Sequence, residues 1–461
     1  MCAGKSTLGA HVAERLGRPF VDVDDEIERA TGTSIRDLFS GRGEQAFRAL
    51  EEVQTIGALE RRDPAVVALG GGALGSERTR EALRERAFTV LIEVEPDEAW
   101  RRTDGAYRPL ATDEGEFRRL YERRLPVYRE SADATARDGD GVVLAAGGVH
   151  VEVGALELLG DLVPRAGDVA LVADALVAGI YGAAAQVALG PRLAATHELP
   201  AGEAAKTIAV CERLWGDLWL ERDGMLVALG GGSTSDAAGF AAATYMRGIA
   251  WAAVPTTLVA QVDAAIGGKT AINVARVKNV VGAFHWPART VIDPALLETL
   301  PPAERANGMA EVVKTGLLAG ESLWELPERE LVRRAAAFKT ALCLRDPEDR
   351  GPRAALNLGH TFAHALEAAS GHTLAHGEAV ALGLLAALRL SGLETVVVEE
   401  LLRPQPVRVD RERAWQALAR DKKRAGRRPR LVLLEAPGKP LTGVELPEHD
   451  VRRALDELIA G

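Results

Sequence analysis

Along the first 140 residues, short apolar runs (Phe20-Val21, Ala65 to Leu69, Phe88 to Ile92) alternate with charged stretches whose apolar positions recur at helical spacing. Strand-length runs between amphipathic stretches predict a βα rhythm. Leu8, Val12 and Leu16 mark its first helix. The segment "RDGDGVVLAAGG", rich in Gly and Asp, predicts a linker near 139–148 in place of a terminal helix. A second series follows in "DVALVADALV", "MLVALGGGSTSD", "IAWAAVPTT" and "TVIDPALLETL". Strands alternating with helices predict a mostly parallel, doubly wound sheet. After Pro301-Pro302 the strand-like runs thin out, and "AEVVKTGLLAG", "FAHALEAAS" and "AVALGLLAALRLSGL" read as helices. The expected fold class is α/β with domains at 1–140 and 149–300, followed by a mainly α-helical domain at 301–461.

Composition then narrows the function. A chain of 461 residues exceeds one ordinary core. Its net charge of −10 argues against a nucleic-acid partner, since duplex binding rests on neutralising phosphates. The sequence contains no apolar run of membrane length and no signal-peptide pattern, so small-molecule substrates and no membrane partner are expected. Three scattered cysteines (Cys2, Cys211, Cys343) fit a reducing cytoplasm, not a disulfide framework.

The chemistry-bearing residues fall into three groups. In the first region, Gly4-Lys5-Ser6-Thr7 reads as the end of a phosphate-binding loop opening a helix. Asp22 and Asp24 close a strand where a carboxylate reaches Mg²⁺ or a hydroxyl. Arg48, Arg108 and Arg124 are donors suited to carboxylate and phosphate, and Gly70-Gly71-Gly72 allows close backbone approach of a ligand. In order and spacing, Gly-Lys-Ser-Thr, D-x-D, F-R-x-x-E, G-G-G, R-P-L and R-x-P-x-Y resemble shikimate kinase. The resemblance implies ATP-dependent phosphorylation of the shikimate 3-hydroxyl. Gly4, Lys5, Ser6 and Thr7 would hold ATP, and Ser6 would bind Mg²⁺, with Asp22 supporting it through water. Asp24, Arg48, Gly71, Gly72, Arg108 and Arg124 would hold shikimate. The family's first strand and first loop glycine do not appear, and that strand is central in the family's sheet. Its two neighbours are therefore expected to carry unpaired edges, with kinase turnover weak or absent.

In the second region, Gly230 to Gly232 follow a strand and open a helix, which lets a pyrophosphate approach helix-start N–H groups without the usual G-x-G-x-x-G. Thr256, Thr257, Asp263, Lys269, Asn273 and Lys278-Asn279 lie in or beside apolar stretches, where charge and polarity call for a partner or a ligand. In the third, His360 and His364 share one helix face at i, i+4, and His376 lies twelve residues beyond His364. Such a cluster suits Zn²⁺, with Glu311 of "GMAEVVKTG" a candidate carboxylate; His372 reads as a surface residue.

Residues 149 to 461 as a whole resemble 3-dehydroquinate synthase. G-G-G-x-x-x-D, Y-M-R-G, P-T-T-L-x-A-Q-V-D, G-G-K-T-A-I-N, K-N-x-x-G-A-F, A-E-V-x-K and L-N-x-G-H-T-x-x-H-A-x-E stand in family order. The resemblance implies Glu311, His360 and His376 as ligands of Zn²⁺ or Co²⁺. It implies Glu203, Lys206, Gly231, Gly232, Asp236, Thr256, Thr257, Lys278 and Thr299 around NAD. Asp263, Lys269, Asn279, Lys314, Lys339, Arg353, Asn357 and His364 would serve substrate, with Arg247 reaching its phosphate. Asp349 stands where the family usually has Glu. The implied reaction turns 3-deoxy-D-arabino-heptulosonate 7-phosphate into 3-dehydroquinate through oxidation, β-elimination of phosphate, re-reduction by the same cofactor, and an aldol closure. A homodimer through the synthase region is also implied. The rival is a metal-dependent NAD polyol or alcohol dehydrogenase with a degenerate kinase domain acting as an interaction module; it has no use for the phosphate-gripping Lys269, Arg353 and Asn357.

Overall fold

The first apolar runs form short strands: β1 (Phe20–Asp22), β2 (Val66–Ala68), β3 (Val90–Ile92) and β4 (Ala134–Ala136). They belong to the first of two units, Met1–Gly147 and Gly148–Gly461, in a computed structural model that describes residues 3–103, 113–164, 167–275, 277–425 and 429–460. β1 pairs with β2 and β3 with β4, both in parallel, but as two separate sheets. Among the described residues no strand lies between β2 and β3, so each keeps one edge without a strand partner, as expected. The gap is a cavity of about 490 Å³ lined by Val66 and Val67, by Val90 and Leu91, and by Leu8 and Val12 of helix Lys5–Leu16. Side chains that a full sheet would bury stay half-exposed there.

One expectation needs correction. Residues 139–146 are a helix, Gly139–Ala146, and not a linker. Asp138 caps it by accepting from the Gly141 N–H at 2.8 Å, and Val143 and Leu144 are buried. Of the glycines that suggested a linker, Gly139 and Gly141 sit in the helix's first turn, where the cap offsets their poor propensity, and Gly147 caps its C-terminal end.

The second unit is built on a six-stranded, all-parallel sheet. It comprises β5 (Val149–Val151), β6 (Val169–Asp174), β7 (Leu193–Leu199), β8 (Met225–Gly230), β9 (Ala250–Pro255) and β12 (Arg289–Ile292), in the order β5-β12-β9-β8-β6-β7. β6 and β8 are buried along their whole length, which is why they read as unbroken apolar runs. An antiparallel hairpin, β10 (Lys269–Val274) with β11 (Val277–Phe284), leaves this layer and carries polar residues. Helices Pro302–Ala319, Glu328–Arg345, His360–Ala369 and His376–Leu390 follow; the first, third and fourth share one apolar core, against which Phe338 of the second packs. A late hairpin, β13 (Leu431–Ala436) with β14 (Lys439–Val444), joins that core and was not expected from the sequence. Among the described residues, no helix is long and apolar enough to cross a membrane.

Candidate functional site

In the first unit, Gly4 adopts a left-handed conformation (φ 72°) at the start of helix Lys5–Leu16, a turn that favours glycine. The first-turn residues Lys5, Ser6 and Thr7 line a cavity of about 500 Å³ together with Asp22, Asp24, Arg48 and Arg124. The Asp22 carboxylate accepts from the Asp24 N–H at 3.0 Å and so caps helix Val23–Thr31. Arg48 lies 5.2 Å from the Phe47 ring centroid and pairs with the buried Glu51 and with Glu44 at 3.3 Å. A β-carbon on Gly72 would overlap the Arg48 guanidinium, and one on Gly70 would overlap Glu51. The glycine turn therefore lets these side chains close on the cavity. Tyr128 donates to the Gly71 carbonyl at 2.5 Å and fixes the turn from the far side. A left-handed helix start, a cation and paired carboxylates suit a nucleoside triphosphate with Mg²⁺. Arg108 lies outside the described residues.

In the second unit, β8 ends in Gly230-Gly231-Gly232, which opens helix Gly232–Thr244. A β-carbon on Gly231 would stand 3.1 Å from Thr257, and one on Gly232 would stand 2.9 Å from Ala264. The missing β-carbons are what let Thr257 and Ala264 pack against the turn. Thr256 sets a buried hydroxyl beside it with no partner. A glycine turn at a helix start and an orphaned hydroxyl fit the pyrophosphate of a dinucleotide. Around it, Lys206 donates to Asp236 at 2.5 Å and to Asn279. Asn273 donates to Glu203 at 2.8 Å, and Ser233 donates to it at 3.3 Å. Burial resists ionisation of Glu203, yet Lys206, Asn273 and Lys278 hold its carboxyl below the ordinary value. Asp236 goes the other way: burial pushes it up to about 6 in spite of Lys206. Thr299 is exposed, with its hydroxyl 2.8 Å from that of Tyr181.

Glu311, His360 and His376 converge. Their ligand atoms all lie within 4.8 Å of one another. Both imidazoles turn Nε2 toward Glu311 Oε1, at 3.4 Å from His360 and 3.1 Å from His376. Glu311 is fully buried on helix Pro302–Ala319, one turn from the buried Lys314, and the two form an ion pair. Burial opposes a charged Glu311, but Lys314 and hydrogen bonds from both histidines hold its carboxyl well below the usual range. Two imidazole nitrogens and one ionised carboxylate are a fitting donor set for Zn²⁺ or Co²⁺.

Next to this trio, Lys339 Nζ donates to the Asp263 backbone carbonyl at 2.6 Å and stands 2.8 Å from its carboxylate; Lys314 is 3.7 Å from the same carboxylate. Burial works against Asp263's charge, and the two lysines overcome it. Arg353, nearly fully buried, donates to the Gly267 carbonyl at 3.0 Å and to that of Pro347 at 3.1 Å, while its Nε has no partner. Lys269 pairs with Asp349, so the shorter Asp349 arm still reaches a cation. Asn357 closes the turn Pro352–Asn357 with its side chain exposed, and His364 stands edge-on to His360 with centroids 5.5 Å apart. Enclosure by protein, and then His360 nearby, lower His364 from its ordinary value.

Among the described residues, no hydrogen bond or ion pair links Arg247 to these groups. It is exposed, at φ 67°, beyond the far end of the 13-residue helix that Gly232 opens. Such a helix is about 20 Å long. His372 is likewise exposed, at φ 65°. Conversely, Glu51, Tyr128 and Glu367 stood inside quoted motifs without a role, and Asp346 went unremarked. Asp346 accepts backbone N–H groups of Arg350, Gly351 and Arg353 at 2.9, 2.7 and 3.1 Å, which shapes the loop carrying Asp349 and Arg353. Glu367 lies three residues after His364 on the histidine face, a helical spacing that could have found it.

Residues 1–148 match the shikimate kinase family model, 196–307 the 3-dehydroquinate synthase N-terminal model and 308–424 the 3-dehydroquinate synthase C-terminal model. The bifunctional shikimate kinase/3-dehydroquinate synthase of Thermotoga maritima is 32% identical over 99% of this chain and 98% of its own. The 3-dehydroquinate synthase of Gloeobacter violaceus is 41% identical over 67% of this chain and 96% of its own. Among solved structures, a 2-deoxy-scyllo-inosose synthase complexed with carbaglucose-6-phosphate, NAD⁺ and Co²⁺ is 25% identical (TM-score 0.61), covering 67% of this chain and 96% of that one. A 2-epi-5-epi-valiolone synthase from Streptomyces hygroscopicus with NAD⁺ and Zn²⁺ bound has the same identity and coverage at TM-score 0.60. Two converging sites in two units, each matched by its own family model, lead to one conclusion: the chain belongs to the bifunctional shikimate kinase/3-dehydroquinate synthase family.

Proposed function

We propose that residues 149–461 convert 3-deoxy-D-arabino-heptulosonate 7-phosphate into 3-dehydroquinate and phosphate, with 149–300 holding NAD and 301–461 the metal. Residues 1–140 phosphorylate shikimate with ATP and Mg²⁺. The observation carrying the synthase assignment is the meeting of Glu311, His360 and His376 beside the Lys314–Asp263–Lys339 chain of charges. Three protein ligands leave the open position that a catalytic metal needs. When bound, NAD⁺ accepts and returns a hydride while the divalent metal acts as a Lewis acid on the reacting oxygen.

This chain's own residues do the rest. Burial alone would strip Lys314 of its proton, but Glu311 and Asp263 raise its pKa above the ordinary value, so it works as a fixed cation. Lys339 is anchored by both acceptors of Asp263 and points its charge at the same place. Lys269, Arg353 and Asn357 are assigned to the phosphate, and the unpartnered Arg353 Nε supplies a donor for it. His364, kept neutral, can accept or return a proton at a substrate oxygen. Glu203, Lys206 and Asp236 are assigned to the cofactor, with Gly231, Gly232, Thr256 and Thr257 around its pyrophosphate.

In the kinase, Lys5 and the first-turn N–H groups hold phosphates, Ser6 and Asp22 hold Mg²⁺, Asp24 orients the substrate hydroxyl, and Arg48 and Arg124 grip the carboxylate. Phosphoryl transfer asks mainly for such positioning and charge. Assembly as a homodimer through the synthase region and a cytoplasmic location belong to the same proposal. The exposed apolar Val277, Val280 and Phe284 of the β10–β11 hairpin support the first by offering surface to cover. His360→Ala tests the synthase reading. Synthase turnover should fall by about 10³-fold or more while shikimate phosphorylation is unchanged; a loss below tenfold would overturn it.

A further inference from the structure

Glu367 is a buried charged residue beside the metal cluster to which neither reaction gives a role. It is only 8% exposed, on helix His360–Ala369, at i+7 from His360 and i+3 from His364. A buried carboxylate needs a partner to offset its lost hydration. The partner is His376, whose Nδ1 is 3.2 Å from Glu367 Oε1. The other nitrogen of the same ring, Nε2, faces Glu311. His360 has the same arrangement with a weaker acceptor: its Nδ1 lies 3.2 Å from the Leu358 backbone carbonyl. Each ring is thus held from behind, but one by a neutral carbonyl and the other by an anion.

We propose that Glu367 is a positioning residue that fixes the Nδ1–H tautomer and orientation of His376, so that Nε2 presents its lone pair to the metal; this rests on the metal site proposed above. A carboxylate behind an imidazole also makes the ring a better electron donor than a carbonyl does. Glu367 lies behind His376, on the ring edge away from Glu311, so it acts through the histidine and not as a fourth ligand. Burial opposes its ionisation, while His376, His364 and Lys278 favour the charge.

The test reads metal binding, not turnover. Zn²⁺ affinity of the full chain is measured by competition with a chromophoric chelator, and the Co²⁺-loaded protein by its visible absorption. Glu367→Gln keeps the volume and removes the charge; Glu367→Asp keeps the charge and withdraws it by one methylene. Both should weaken Zn²⁺ binding by about 10–100-fold and shift the Co²⁺ bands, with NAD binding and circular dichroism unchanged. Wild-type affinity and an unshifted spectrum in Glu367→Gln would overturn the proposal. Should the variants fail to fold, nitrogen NMR of zinc-loaded wild type decides: the His376 proton is expected on Nδ1, and a proton on Nε2 sinks the idea. Failure of the metal site itself looks different, because His360→Ala would then leave Zn²⁺ stoichiometry untouched.

Discussion

Gly72 lies where a β-carbon would overlap the Arg48 guanidinium. Gly72→Ala should therefore displace Arg48 from the shikimate carboxylate and raise the shikimate KM by about tenfold or more, a loss of about 1.4 kcal/mol. Parallel assays on one preparation check this, with the synthase reaction unaffected. Asp236 makes a prediction about pH. Its pKa rises from 3.8 to about 6 in the folded protein, so the native state binds this proton more tightly than the unfolded chain does. Between about pH 4 and 6 this group therefore adds stability as pH falls, up to about 3 kcal/mol, and above pH 6 its contribution is constant. Denaturant titrations across that window should show the slope in the apo wild type and a flatter one in Asp236→Asn. Residue identities told much here and stopped at a definite point. His360, His364, His376 and Glu311 were legible because imidazoles and a carboxylate in apolar helices have few uses. Asp346 was not, because its role as acceptor of three backbone N–H groups exists only once the loop has turned around it. Arg247 carries a motif, but the motif does not reveal what its exposed side chain meets.

At the scale of elements, the divided sheet of the first unit is the feature with consequences. β2 carries the Gly70–Gly72 turn, while helix Lys5–Leu16 packs over the apolar gap beside it. The phosphate end and the shikimate end of the site are thus tied by fewer backbone hydrogen bonds than one continuous sheet would supply. Shikimate phosphorylation by this chain is expected below the about 1–100 s⁻¹ typical of kinases; steady-state turnover at saturating ATP and shikimate measures it. Asp138→Ala should cost about 1 kcal/mol by uncapping helix Gly139–Ala146, visible as a lower melting temperature of the kinase unit alone. The βα rhythm was readable because buried parallel strands are unbroken apolar runs. The β13–β14 hairpin was not, because its outer strand is exposed along most of its length and looks like a loop. Helix Gly139–Ala146 was hidden by glycines that a cap tolerates.

On the scale of the whole molecule, two units with separate cores carry two separate sites. Calorimetry should show two transitions. ATP with shikimate should raise only the first unit's, and NAD with Zn²⁺ only the second's, by about 2.7 kcal/mol for each ligand held at a hundredfold excess over its Kd. The order of motifs was enough to read two enzymes on one chain, whereas the gap between β2 and β3 became a physical cavity only in three dimensions. The second unit is expected to use NAD catalytically while it eliminates phosphate. The most direct measurement supplies 3-deoxy-D-arabino-heptulosonate 7-phosphate, Zn²⁺ and sub-stoichiometric NAD⁺, and follows phosphate, 3-dehydroquinate and NADH together. One phosphate per 3-dehydroquinate over many turnovers, with no accumulating NADH, is the predicted result. NADH rising in step with product, or oxidation of a simple polyol without phosphate release, would contradict it.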